Sequence, residues 1–180
     1  MAFATLAIPY AFDGRWTAAS WALEGAAALW VGVRQKRALP RWFGLLLQPA
    51  AGIAFLASAP DLAMALPVLN SRFVGGMSIA LAGLFCAWYL QRNRKPENHA
   101  APVVAGFLLA WGAAWWIGTG WHELSEFVPQ KSMVRGLQLL YAAASALLFV
   151  FARRRLEWPA IAYGALGLLY VDFYCFFQTT

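Results

Sequence analysis

The sequence predicts an all-α fold: a polytopic transmembrane helix bundle of six full spans plus a short N-terminal apolar segment. Three observations predict it. The 180 residues are 62% hydrophobic and only 12% charged, where a soluble domain carries about 25% charged residues, and the mean hydropathy is +0.57. Apolar runs recur at the length a helix needs to cross a bilayer, roughly 20 residues. Basic clusters fall on every second connection between those runs, as one fixed orientation in a membrane requires.

The elements follow in order. Residues 1–12 are apolar but make only half a span, read here as a partial crossing by a truncated helix. No basic residue precedes that stretch, so it is not a cleavable signal peptide. The first full span is 16–33, closed by Arg34-Gln35-Lys36-Arg37. The second, 42–59, ends at Pro60-Asp61, and the third, 73–90, at Gln91-Arg92-Asn93-Arg94-Lys95-Pro96. The fourth, 101–121, runs into His122-Glu123; the fifth, 133–152, is closed by Arg153-Arg154-Arg155; the sixth is 158–177. Together they make residues 1–180 a single transmembrane helical domain. The connection 60–72 is itself fairly apolar and reads as a surface-lying helical turn.

Charge orients the spans. Ten of the fourteen basic residues lie in three connections, at Arg34, Lys36, Arg37, Arg41, then Arg92, Arg94, Lys95, then Arg153, Arg154 and Arg155. The other four are Arg15, Arg72, Lys131 and Arg135. The positive-inside rule places the ten in the cytoplasm of a multi-pass inner (plasma) membrane protein and the C-terminus outside. The net charge of +6 therefore reflects orientation, and nucleic acid is not an expected partner. Cys86 then lies near the inner face and Cys175 near the outer, which argues against a disulfide and against a metal site formed by the two. Trp16, Trp30, Trp42, Trp88, Tyr89, Trp121 and Trp158 cluster at span ends, where amphipathic rings sit at headgroup level.

Glu24 is the leading candidate functional residue. It lies near the middle of the first span, where an ionised carboxylate is disfavoured by roughly 2.5–3.5 kcal/mol. Its helical neighbours are Ser20, Trp21, Ala27 and Ala28. It serves either as an interhelical hydrogen-bonding group that fixes packing, or functionally, as a proton or cation relay or a contact to substrate; Glu24→Gln separates a packing role from a protonation role. Asp172, in the sixth span, is the second intramembrane candidate. Asp13 suits a helix cap at the start of the first span, with Arg15 reaching headgroups or Asp13 itself. His122, Glu123 and Glu126 end the fourth span; if the helix continues, His122 and Glu126 share a face. That pattern lacks the second histidine of a zinc-protease helix, so it reads as a local ion pair rather than a metal site. Phosphate-binding loops, a nucleophile elbow, paired cysteines and a haem-binding histidine pair are all missing from the sequence, and no cofactor is expected. The segment 16–21 weakly echoes 158–163, which in an alanine-rich background is little more than chance.

The block Ala7-Ile8-Pro9, Asp13-Gly14-Arg15-Trp16-Thr17 and Trp21-Ala22-Leu23-Glu24-Gly25 resembles a bacterial family of multi-spanning predicted membrane proteins, catalogued as domain of unknown function two-three-three-nine. Leu29 to Gln35 is similar too, and Arg153 to Pro159 more loosely. The resemblance implies a long string of helices without assigned activity, of which this chain is a fragment or a short member. It brings no catalytic residues. The expected function is a non-enzymatic scaffold or transport-related helical module, with the lipid bilayer and further transmembrane helices or a homo-oligomer as partners. The alternative is a membrane enzyme acting on lipid-linked or cell-envelope substrates at the outer face, where Asp13, Asp61, His122, Glu123 and Glu126 would have to converge.

Overall fold

A computed structural model describes residues 14–58, 66–94 and 100–162, together with 164 and 167. Five helices account for nearly all of them: α1 (Gly14–Arg34), α2 (Ala38–Ala57), α3 (Ser71–Arg92), α4 (Ala100–Phe127) and α5 (Lys131–Leu156). There is no strand among the described residues. The chain divides into two compact units, Met1–Trp116 and Ile117–Thr180.

Among the described residues, four helices are long and apolar enough to cross a membrane: α2, α3, α4 and, from Met133, α5. The expectation of six full spans is therefore not supported: 16–33 does not qualify, and 158–177 lies mostly outside the described residues. The span expected at 16–33 forms a helix of sufficient length, 21 residues, or about 31 Å. Its Thr17, Ser20 and Glu24, set among alanine and glycine, leave it short of the required apolarity. Residues 1–12 and most of 158–177 lie outside the described residues, as do Asp61 and Cys175. The surface-lying turn expected over 60–72 is only partly described. Residues 66–70 turn irregularly, with Val68 in the left-handed region at φ 66°.

In the first unit, α1 packs against both α2 and α3. The link from α1 to α2 is three residues long. Lys36 adopts the left-handed conformation at φ 56°, and the Arg37 N–H donates to the Gly32 carbonyl at 3.0 Å. This returns one of the carbonyls a helix end leaves open. The tight link makes α1 and α2 antiparallel, and their contacts agree: Gly14 lies against Ser58, Gly25 against Gly44, and Gly32 against Arg41. A Cβ on Gly44 would stand 2.5 Å from the Gly25 carbonyl oxygen and 2.6 Å from the Leu29 nitrogen. The two helices therefore meet backbone to backbone, the close approach that small residues permit in a bilayer.

α3 starts at a side-chain cap. The Asn70 Oδ1 accepts from the Phe73 N–H at 2.7 Å, satisfying one of the donors exposed at a helix start. α3 runs parallel to α1, since Arg15 at the start of α1 bonds Ser71 at the start of α3. α4 joins through a second close approach: a Cβ on Gly112 would lie 2.8 Å from the Leu84 nitrogen and 2.9 Å from the Ala80 oxygen. Trp111 covers Gly52 of α2, and Trp115 meets Phe55 edge to face at 5.0 Å.

The interior of this unit is rich in small side chains beside a few large ones, Leu29, Ile79 and Leu108. Ala18, Ala22, Ala51, Ala80, Ala87 and Ala105 are wholly buried, whereas Leu39, Trp42, Leu46, Ile53 and Leu56 of α2 are exposed. Water would drive those large groups inward; lipid does not, because tails are as apolar as leucine. In the second unit, the C-terminal part of α4 and α5 form an antiparallel pair joined at Val128–Gln130. Gly120 lies against the Tyr141 ring, and the Gln138 Nε2 donates to the Ser125 Oγ at 3.2 Å.

Candidate functional site

Glu24 sits ten residues into α1 and is half-buried. It is engaged within the protein rather than left as a free carboxylate. The next residue, Gly25, forms the contact with α2, so Glu24 lies at the level where the α1 and α2 backbones touch. One turn earlier is Trp21, whose Nε1 is buried without a hydrogen-bond partner, as is the Thr17 Oγ1 a turn before that. Thr17, Trp21 and Glu24 are spaced to follow one another along one side of the helix.

The most deeply buried polar side chain is one that sequence reasoning passed over. Gln48 of α2 is fully buried. Its Nε2 donates to the Ala22 carbonyl of α1 at 2.9 Å and approaches the Cys86 Sγ of α3 at 3.8 Å. One amide thus ties together three helices, with its Oε1 left without a partner. The signal for it was a polar residue interrupting the apolar run 42–59, directly before Pro49. Pro49 has no N–H, so the α2 carbonyl four residues earlier has no helical partner there.

Arg15, expected to reach headgroups or Asp13, which lies outside the described residues, has a third partner. It is buried at 4% exposure, and its guanidinium donates to the Ser71 Oγ at 3.3 Å. The reason is local: Gly75 lets α3 come close to the Arg15 backbone, where a Cβ would stand 3.4 Å from the Arg15 carbonyl oxygen. Arg15 therefore joins two helix starts inside the unit. Asp13 and Asp172 lie outside the described residues.

In the second unit, α4 does continue to Phe127, so His122 and Glu126 fall one turn apart, and both are exposed. Glu123 is buried and is engaged within the protein, as is His122. Among the described residues no three His, Cys, Asp or Glu side chains are grouped to hold a metal ion. Of the charged groups named for an outer-face enzyme site, the described ones are a pair on one helix face and a buried neighbour; Asp13 and Asp61 lie outside the described residues.

The basic residues of the first unit separate by end. Because α1 and α3 are parallel and α2 antiparallel, Arg34, Lys36, Arg37, Arg41, Arg92 and Arg94 share one end, while Arg15 and Arg72 share the other. The Arg34 guanidinium lies over the Trp30 ring, 5.5 Å from its centroid, and Arg92 over Trp88 at 5.6 Å.

Compared with known proteins, residues 1–180 match the family described as "Predicted membrane protein (DUF2339)". No curated protein and no solved structure matches the chain.

Proposed function

The chain belongs to this family of predicted membrane proteins of unknown function, and from that premise we propose that its first unit is a non-enzymatic scaffold: a closely packed helical module that holds its place in a larger membrane assembly. The observation that carries this is the α1–α2 crossing, where Gly44 meets the Gly25 and Leu29 backbone. Backbones in contact leave no room for water between α1 and α2 at this crossing, one residue from Glu24. Transporters set their intramembrane carboxylates against a water-filled gap. In a bilayer, association rests on packing and interhelical hydrogen bonds, and Gln48 adds the latter at the same crossing. Glu24 then contributes a hydrogen bond that fixes packing. The exposed apolar faces of α2 and α5 meet lipid or further helices, including those of a second copy. The membrane is the inner one, with the basic ends cytoplasmic.

The test is proton and cation flux in proteoliposomes carrying the wild-type chain or Glu24→Gln. The scaffold reading expects no flux above empty vesicles and an unchanged unfolding midpoint for Glu24→Gln. A flux that the substitution abolishes replaces it with the transport reading.

A further inference from the structure

At the ends of α1 and α3 one local arrangement occurs twice. An aromatic ring lies one turn before the last arginine of the helix, and the guanidinium rests on it: Arg34 over Trp30 and Arg92 over Trp88. A third instance, Arg155 over Phe151 at 5.8 Å, closes α5 in the second unit. The spacing of four residues sets ring and guanidinium on the same side of the helix. At 5.5 and 5.6 Å from the ring centroids the two guanidiniums are within cation–π reach, a contact that spends no N–H and leaves the donor fork available. Arg34 and Arg92 are both exposed and form no hydrogen bond or ion pair among the described residues. Their rings belong to the aromatic class that settles at headgroup depth.

We propose that the basic end of the first unit is a built binding surface for anionic phospholipid headgroups, centred on the Arg34–Trp30 and Arg92–Trp88 pairs. Each ring holds its guanidinium at the depth of the phosphate and restricts its rotamers before lipid arrives. The fork then meets two phosphate oxygens at once, a geometry an ammonium cannot reproduce. Lys36, Arg37, Arg41 and Arg94 share this end, and the stretches 34–41 and 91–99 carry seven Lys and Arg against one acidic residue, Glu97, so the field there favours a net-negative lipid over a zwitterionic one.

The test is native mass spectrometry of the purified chain in detergent, titrated with phosphatidylglycerol or with phosphatidylcholine. Phosphatidylglycerol is expected to be retained preferentially. The pair Lys36→Gln with Arg94→Gln, which removes two charges from positions without a ring in contact, is expected to weaken that retention by at most about 25-fold, roughly fivefold for each charge. Arg34→Gln with Arg92→Gln removes the same charge together with the ring-held forks and is expected to cost about two- to fivefold more. Trp30→Leu, with both arginines present, is expected to weaken retention about two- to fivefold. Equal losses from the two charge-removing pairs would show diffuse attraction only and overturn the proposal, as would equal retention of the two lipids. Unfolding midpoints of all variants identify any that lose lipid by losing their fold; for such a variant, Arg34→Lys with Arg92→Lys, which keeps the charge and removes the fork, must still weaken retention or the proposal fails.

Discussion

Gly44→Ala is the sharpest perturbation the fold offers. The added methyl would stand 2.5 Å from the Gly25 oxygen and 2.6 Å from the Leu29 nitrogen. Both are backbone atoms of a helix, so neither can rotate away. Ordinary contact begins at 3.4 Å, and α1 and α2 must therefore part by roughly 0.9 Å in a region packed to near-crystalline density. Overpacking of this kind costs about 1–3 kcal/mol. The same movement lengthens the Gln48–Ala22 hydrogen bond from 2.9 Å beyond useful range, a further loss of about 0.6–1.7 kcal/mol. Alanine's better helix propensity returns at most about 1 kcal/mol. The net expectation is a destabilisation of about 1–4 kcal/mol, read as a lowered midpoint of thermal or denaturant unfolding in detergent micelles. Gly106→Ala is the control, because a Cβ there meets nothing within 4 Å; it is expected to be neutral or stabilising by up to about 1 kcal/mol. If the two variants unfold alike, the backbone contact between α1 and α2 does not exist.

Three further outcomes follow from the same geometry. Gln48→Leu is expected to change stability by less than about 1 kcal/mol, since the lost interhelical bond is offset by removing the stranded Oε1; Gln48→Ala, which leaves a cavity in place of the side chain, is expected to cost about 2–3 kcal/mol in the same unfolding assay. Lys36→Gly relieves a left-handed residue at φ 56° and is expected to raise the midpoint by up to about 1 kcal/mol; a fall would show that the link does not hold that conformation. Arg15→Ala removes a buried guanidinium and its bond to Ser71; it is expected to destabilise by about 1–3 kcal/mol, whereas Arg94→Ala, at an exposed position, stays within about 0.5 kcal/mol in the same titration.

Helix positions were legible because their determinants are local. Basic clusters close α1, α3 and α5, Asn70 caps α3, and each helix contains most of the run assigned to it. Even so, α4 passes the expected end at Trp121 by six residues, since Glu123 to Phe127 carry no helix-breaking signal. The count of spans was less legible. Aromatic and alanine content made 16–33 look more membrane-like than its polar groups allow. Tertiary relations were hidden. Gly44 is one of 15 glycines, and nothing in its neighbours announces that another backbone will touch it. Gln48 is a single amide in an apolar run, so its role emerges only when Ala22 and Cys86 are brought to it. Arg15 seemed bound for headgroups because its sequence neighbours say nothing of Ser71. Glu24 was visible at once, yet its place beside the α1–α2 contact was not.

The central claim is that α2 and α3 traverse the membrane, with α1 packed closely against both and the basic residues of the unit gathered at one end. Single-cysteine labelling tests it most directly, using Arg37→Cys, Arg94→Cys and Arg72→Cys in a background with Cys86 and Cys175 replaced by serine. In sealed vesicles of known orientation, a membrane-impermeant reagent should label Arg37→Cys and Arg94→Cys from one side and Arg72→Cys only from the other. Labelling of all three from the same side would contradict the claim.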